Sequence, residues 1–371
     1  MRASWYEGGN SEIMNNRFKI YQWSVAYCVL PIFVIPSSAQ KMKHRQFGKT
    51  GWEVSEIGYG MWGIGSWSNS DDQQSLESLQ AAVEMGCNFF DTAYAYGDGR
   101  SENLLGQMVR ANADKQLYTA TKVPPRNKEW PAKSGSTLME SYPPDHVEEY
   151  VHRSLENARL ERFDLMQLHT WDDEWLRDDR WFYKLDDLRG QKLIRALGIS
   201  LNRWEPWNGI QAVRTGQIDA VQVIYNIFDQ NPEDELFPAC REMNVAVIAR
   251  VPFDEGTLTG TLTKESTWPE GDWRNTYFVP ENLIPSVERA DELKKLLANW
   301  NREHSTKITM PELALRFILS NDDVSTIIPG MRKLSHVESN IAASEAGPLP
   351  RELYEKLRKF RWVRKPAPWS Q

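Results

Sequence analysis

From His44 to Tyr59, apolar and polar residues alternate on either side of Gly48, Lys49, Thr50 and Gly51, which is the pattern of a β-hairpin. Beyond it, short apolar runs alternate with longer stretches whose apolar residues recur at helical spacing. The runs predict eight strands, at Ile57–Trp62, Asn88–Asp91, Leu117–Lys122, Asp164–His169, Ala196–Ser200, Ala220–Ile224, Ala246–Arg250 and Val324–Ile328. Helices are predicted at Gln73–Met85, Asp145–Leu160, Leu185–Leu193, Trp204–Arg214, Glu233–Met243, Val287–Glu303, Pro311–Ser320 and Ser335–Ser344. Eight strands separated by helices imply an α/β protein, a (β/α)8 TIM barrel with an N-terminal β-hairpin. An open doubly wound sheet is the alternative. It lacks its expected phosphate turn, because Gly58, Gly60, Gly63 and Gly65 do not have the Gly-x-Gly-x-x-Gly spacing.

Two connections are long for such a barrel. Pro124–Pro144 follows the third strand and Val251–Ser286 the seventh. At the carboxyl ends of barrel strands, insertions of this length are expected to form lids over a ligand. The organisation expected is a barrel over residues 42–350, a C-terminal helix and tail over 351–371, and an unrelated extension over 1–41. In that extension Arg17 and Lys19 precede an apolar run, Trp23 to Pro36, and then Ser37, Ser38 and Ala39. This order resembles a secretory signal. Met42, Lys43, His44 and Arg45 also form a complete enzyme start, so the extension is alternatively upstream sequence translated in error.

Composition narrows the function. Of 371 residues 41% are hydrophobic, enough for a large core, and the net charge is −7. No basic block offers a phosphate-tracking face, so nucleic acid is not an expected partner, and no membrane partner is expected. Three dispersed cysteines, Cys28, Cys87 and Cys240, give no disulfide framework and fit a reducing compartment.

The chemistry sits at strand ends. Asp91 closes the second apolar run with Tyr96 five residues on, Lys122 closes the third and His169 the fourth. On a parallel barrel these ends share one rim. A side chain that gives up a proton in a reaction must hold that proton at neutral pH. A free tyrosine titrates near ~10, and a nearby ammonium is expected to lower that value. A metal-dependent isomerase or hydrolase is a rival on the same scaffold, but Lys122 beside Asp91 and His169 would repel a cation.

These residues are embedded in longer motifs. They are Phe90, Asp91, Thr92 and Ala93 with Tyr96 and Gly97; Ser101 and Glu102; Leu105 and Gly106; Thr121 and Lys122; Leu168 and His169; Ile194 through Ser200; Gln222 with Tyr225 and Asn226; and Ile328, Pro329 and Gly330 with Asn340. Together they resemble the aldo-keto reductase family over residues 42–350. The resemblance implies a catalytic tetrad of Asp91, Tyr96, Lys122 and His169, with Tyr96 rather than Tyr94 as proton donor. It implies reduction of an aldehyde or ketone by NADPH in preference to NADH, with a small-molecule carbonyl as substrate and a cytoplasmic location. An exported protein is the alternative if residues 1–41 are a genuine signal. A non-catalytic or regulatory NADPH-binding protein is the second functional reading.

The resemblance also assigns cofactor contacts. Ser200 and Gln222, helped by Asn202, would hold the carboxamide. Arg250, Val251, Pro252 and Phe253 occupy the stretch where relatives often place an aromatic residue beneath the nicotinamide. Arg250 departs from that pattern. It either stacks on the ring or contacts phosphate, or it pairs with Asp254 or Glu255. Gly256 and Leu258 belong to a segment that folds over the pyrophosphate. Gly330 and Arg332 would meet the 2′-phosphate, with His336, Ser339 and Asn340 near the ribose and adenine. Trp62 and Trp171 are candidate pocket walls, and Asp172 and Asp173 a loop or helix cap.

Overall fold

The structure is a computed structural model and describes residues 42–65 and 70–369. The expectations for residues 1–41 lie outside the described residues. Two antiparallel strands come first, β1 (His44–Gln46) and β2 (Glu53–Ser55). The parallel strands follow: β3 (Tyr59–Gly60), β4 (Phe89–Asp91), β5 (Tyr118–Val123), β6 (Phe163–Leu168), β7 (Ile194–Ser200), β8 (Ala220–Ile224), β9 (Ala246–Arg250) and β10 (Thr326–Ile327). They pair in sequence order from β3 to β10. Parallel bridges from Ile57 to Ile327 and from Gly60 to Gly330 bring the last strand back to the first. Gly60 is needed at that seam, because a Cβ there would collide with the carbonyl of Ile328. The eight strands form the (β/α)8 barrel expected from the alternation.

The hairpin caps the amino-terminal end. Phe47 and Trp52 stack at 5.6 Å, and both join a buried cluster with Phe89, Tyr118, Ala120, Ala196, Ala220 and Ala246. Four alanines facing inward leave the volume that the larger rings fill, so this end is packed shut. Arg45 anchors the hairpin from outside through Glu56, at 3.0 Å, and the carbonyls of Leu319, Asn321 and Val324.

The long insertions carry the short helices Leu138–Ser141 and Arg274–Tyr277. Pro280–His304 and Arg180–Gly190 start earlier than expected, and two further helices differ more. Arg100–Ala111 is helical although its pattern was not read as a helix. Its N-cap is Gly99 in the left-handed region at φ +91°, with no side-chain cap to announce it. The predicted helix Trp204–Arg214 shrinks to Ile210–Arg214. Trp204 has a positive φ and Gly209 an extended one, so a regular helix begins only at Ile210. Among the described residues no helix is long and apolar enough to cross a membrane.

The helix Arg100–Ala111 also explains two motif residues that do no chemistry. Gly106 lies against the carbonyl of Ala158 at the end of the neighbouring helix, Pro144–Ala158, with no space for a Cβ. Glu102 is buried and accepts hydrogen bonds from Thr121 Oγ1 at 2.6 Å and Asn157 Nδ2 at 2.8 Å. It therefore ties the strand carrying Lys122 to both helices. Replacement of Gly106 by alanine should destabilise the fold by about 2–3 kcal/mol through overpacking, measured as a shift in the urea midpoint.

Candidate active site

Asp91 ends β4, Lys122 is one residue from the end of β5, and His169 directly follows β6. Parallel strands in register bring these ends to one rim. Lys122 Nζ donates to Asp91 Oδ2 at 2.6 Å and to the Thr92 carbonyl at 2.7 Å. It lies 3.5 Å from the Tyr96 hydroxyl. The Tyr96 and His169 rings meet edge to face at 5.7 Å. The four residues singled out in the sequence thus converge.

Lys122 and Asp91 are both fully buried, which is costly for charges unless each finds a partner. Asp91 Oδ1 accepts from Gln222 Nε2 at 2.8 Å and from Gln167 Nε2 at 3.1 Å. Gln167 was not identified from sequence. Its signal was positional: it lies two residues before His169, on a strand whose alternate residues face the barrel interior.

Tyr96 follows a tight turn that packs on Gly65, where a Cβ would lie 2.7 Å from the Tyr96 carbonyl carbon. Burial raises the phenol above its ordinary value, and this outweighs the lowering by Lys122. The direction is opposite to that expected from the ammonium alone. Burial, the Lys122 cation and the Arg250 cation hold His169 well below the usual imidazole value, so the ring is neutral. Its Nδ1 is buried and has no hydrogen-bond partner among the described residues.

Aromatic rings surround this pole. Trp130, from the insertion after β5, contacts His169 edge to face at 4.5 Å. Trp62 contacts Trp273, from the insertion after β9, at 5.6 Å. Both long connections therefore reach the mouth. Trp171 does not: it is fully buried against Trp175 and Trp181 and is a core residue. Tyr94 packs on Tyr150 at 4.6 Å. Asp172 caps the short turn that follows it by accepting from Glu174 N at 2.9 Å.

The other singled-out residues lie along the same rim. Ser200 ends β7 and is buried beside Gln222. Arg250 ends β9, and its Nη2 donates to the Leu201 carbonyl at 3.0 Å. The acids expected to pair with it are otherwise engaged, Asp254 with Arg364 and Glu255 with Arg203, each at 2.7 Å. Asn202 is held by Glu205 and the backbone of Ala132, so its amide is spent on anchoring the β5 insertion. Val251, Pro252 and Phe253 lead into Asp254–Thr259, where Leu258 points its side chain into the core. Gly330 precedes Arg332 and the helix Leu334–Ala346, which carries His336, Ser339 and Asn340. A Cβ added at Gly256 or Gly330 would meet nothing within 4 Å, so open space lies beside both backbones. Open backbone at two rim glycines and the unpartnered Nε of Arg250 fit an anionic, extended ligand such as a dinucleotide.

The chain matches the family model described as Aldo/keto reductase family over residues 56–361. Its relatives include the NADH-specific methylglyoxal reductase of Escherichia coli K12, 28% identical over 340 residues, with 86% of this chain and all of that protein covered. Among solved structures, the holo form of an aldo-keto reductase from Bacillus halodurans superposes with a TM-score of 0.67 at 26% identity, covering 87% of this chain and 97% of that one. An aldo/keto reductase from Klebsiella pneumoniae in complex with NADP and acetate shares the fold, with a TM-score of 0.63 at 22% identity over 87% of this chain and 98% of that one.

Replacing Lys122 by methionine should leave Asp91 buried without its cation and cost about 3–5 kcal/mol of stability. Tyr96→Phe, which removes no ion-pair partner, should cost under about 1 kcal/mol. Guanidinium denaturation of the two variants checks the difference. The chain belongs to the aldo/keto reductase family.

Proposed function

We propose that this protein reduces an aldehyde or ketone to an alcohol by direct hydride transfer from NADPH, with Tyr96 as the proton donor. The observation that carries the reading is the Tyr96 hydroxyl 3.5 Å from an ammonium that is itself locked 2.6 Å from Asp91. When bound, NADPH supplies the hydride to the carbonyl carbon. Tyr96 keeps its proton at neutral pH because burial opposes the phenolate. As that proton passes to the substrate oxygen, the Lys122 ammonium stabilises the negative charge shared between the two oxygens. Asp91 holds Lys122 charged and in place. Neutral His169 orients the carbonyl by donating a hydrogen bond to its oxygen. Trp62, Trp130 and Trp273 exclude water from the mouth.

Ser200 and Gln222 would hold the carboxamide end of NADPH, Arg250 through Phe253 the ring, and the backbone of Gly256 and Leu258 the pyrophosphate. Gly330, Arg332, His336, Ser339 and Asn340 would hold the adenosine end. Arg332 and Lys333 at the start of the last barrel helix favour a 2′-phosphate. A cytoplasmic location fits a reductase drawing on a nicotinamide pool.

Tyr96→Phe should lower kcat for a panel of carbonyls by about 100-fold or more while leaving NADPH affinity within about threefold; unchanged turnover would refute Tyr96 as the acid. Arg332→Ala should weaken NADPH binding at least tenfold more than NADH binding, read by fluorescence titration. The kcat/KM for reduction should be flat between the ordinary imidazole value of 6.5 and the ordinary phenol value of 10, since His169 titrates below and Tyr96 above that window. A midpoint inside the window would contradict the assignment.

A further inference from the structure

Of the largely buried cations along the reactive rim, Arg250 makes no ion pair among the described residues, whereas Lys122, Arg203 and Arg364 each do. Each acid near Arg250 is committed elsewhere. Asp91 pairs with Lys122 at 2.6 Å, Glu255 with Arg203 at 2.7 Å, and Asp254 and Asp229 with Arg364. Arg250 has no ion pair among the described residues. It donates from Nη2 to the carbonyl of Leu201 at 3.0 Å, and its Nε is buried without a partner. Burial and the neighbouring Arg203 cation lower its guanidinium to about 10, which still leaves it charged at neutral pH. Its field reaches the reacting groups, since it acts on both Tyr96 and His169.

The hydride donor cannot escape that field. The substrate oxygen must lie within roughly 3 Å of the Tyr96 hydroxyl. The carbon that gives up the hydride must approach the carbonyl carbon to about 3–3.5 Å. A nicotinamide ring so placed lies a few ångströms from Tyr96. The ring is neutral when reduced and carries one positive charge when oxidised.

We propose that Arg250 is a redox-state selector: its unpaired charge at the end of β9 makes the site bind reduced nicotinamide cofactor in preference to oxidised. This rests on the reading of the protein as a nicotinamide-dependent reductase. In the forward step the hydride leaves the reduced ring for the carbonyl carbon, and the Tyr96 O–H bond breaks as the alcohol O–H forms. The ring is left cationic in the field of a second cation, which favours its release. Like charges within about 10 Å at an effective dielectric near ~20 change an equilibrium constant by roughly tenfold.

The test is affinity, measured without substrate. Tryptophan fluorescence titration of the full chain with NADPH and with NADP+ gives the ratio of dissociation constants for wild type, Arg250→Gln and Arg250→Lys. We expect wild type to bind NADPH at least tenfold more tightly. Arg250→Gln should shrink that ratio about tenfold, mainly by tightening NADP+, and Arg250→Lys should retain most of it. An unchanged ratio in the glutamine variant overturns the proposal, and so does a lysine variant that behaves like glutamine. The wild type alone is also a test, because equal affinity for the two redox forms overturns the proposal whether or not the variants fold. Failure of wild type to bind either nucleotide is a different result and sinks the reductase reading itself.

Discussion

The Asp91–Lys122 ion pair is the constraint around which the reactive rim is arranged. Two opposite charges are taken fully out of water inside the barrel, and such a pair is tolerated only when its remaining valences are met. Gln167 and Gln222 meet those of Asp91 and the Thr92 carbonyl meets one of Lys122, so strands β4, β5, β6 and β8 all contribute. Changing the register of any of these strands would strand a charge. Electrostatics thus specifies strand order at the carboxyl rim, whereas ring packing against four alanines specifies it at the amino rim. The two ends of one barrel are held by different physics, and only the end held by charge leaves polar atoms facing a ligand.

Much of this was legible in the sequence for a local reason. Strands buried on both sides read as short apolar runs, and a charged or ionisable residue that closes such a run marks the rim. That logic located Asp91, Lys122 and His169, whereas Arg250 came from the family resemblance. What it could not locate depends on contacts between distant segments. Nothing local says that Glu255 would go to Arg203 and Asp254 to Arg364, leaving Arg250 without an acid. Nothing local separates Trp171, buried among other tryptophans, from Trp130, which reaches His169 from an insertion. The helix Arg100–Ala111 was missed because its start is a left-handed glycine and its interior carries Gly106, both of which read as breaks.

The tail shows the same limitation more sharply. Pro366–Gln371 reads as a frayed end, with Trp362 and Trp369 as the residues able to reach back, and Arg364 just ahead of it is buried between Asp229 and Asp254. Trp362 donates its backbone N–H to the Phe228 carbonyl at 2.8 Å, and Trp369 packs on Trp204 and Tyr277. Withdrawing Arg364 would leave Asp229 and Asp254 buried without their cation, which costs several kcal/mol, so the tail and the two acids hold their places together. Composition alone cannot forecast that outcome, because the acids lie more than a hundred residues away.

The tail in turn bears on the rim. Val251, Asp254 and Glu255 all adopt positive φ without being glycine, and Gly256 continues at φ +111°. Non-glycine residues there each cost on the order of 1 kcal/mol or more, so the segment persists only because its surroundings over-determine it. Asn226 holds the Val251 carbonyl at 3.1 Å, Arg203 holds Glu255, and Arg364 holds Asp254. Three restraints from three separate parts of the chain thus keep one strained segment in place directly after Arg250. The conformation that occupies Asp254 and Glu255 is therefore the same conformation that denies Arg250 an acid. Strain in the backbone and the lack of an ion-pair partner for Arg250 are two consequences of one arrangement.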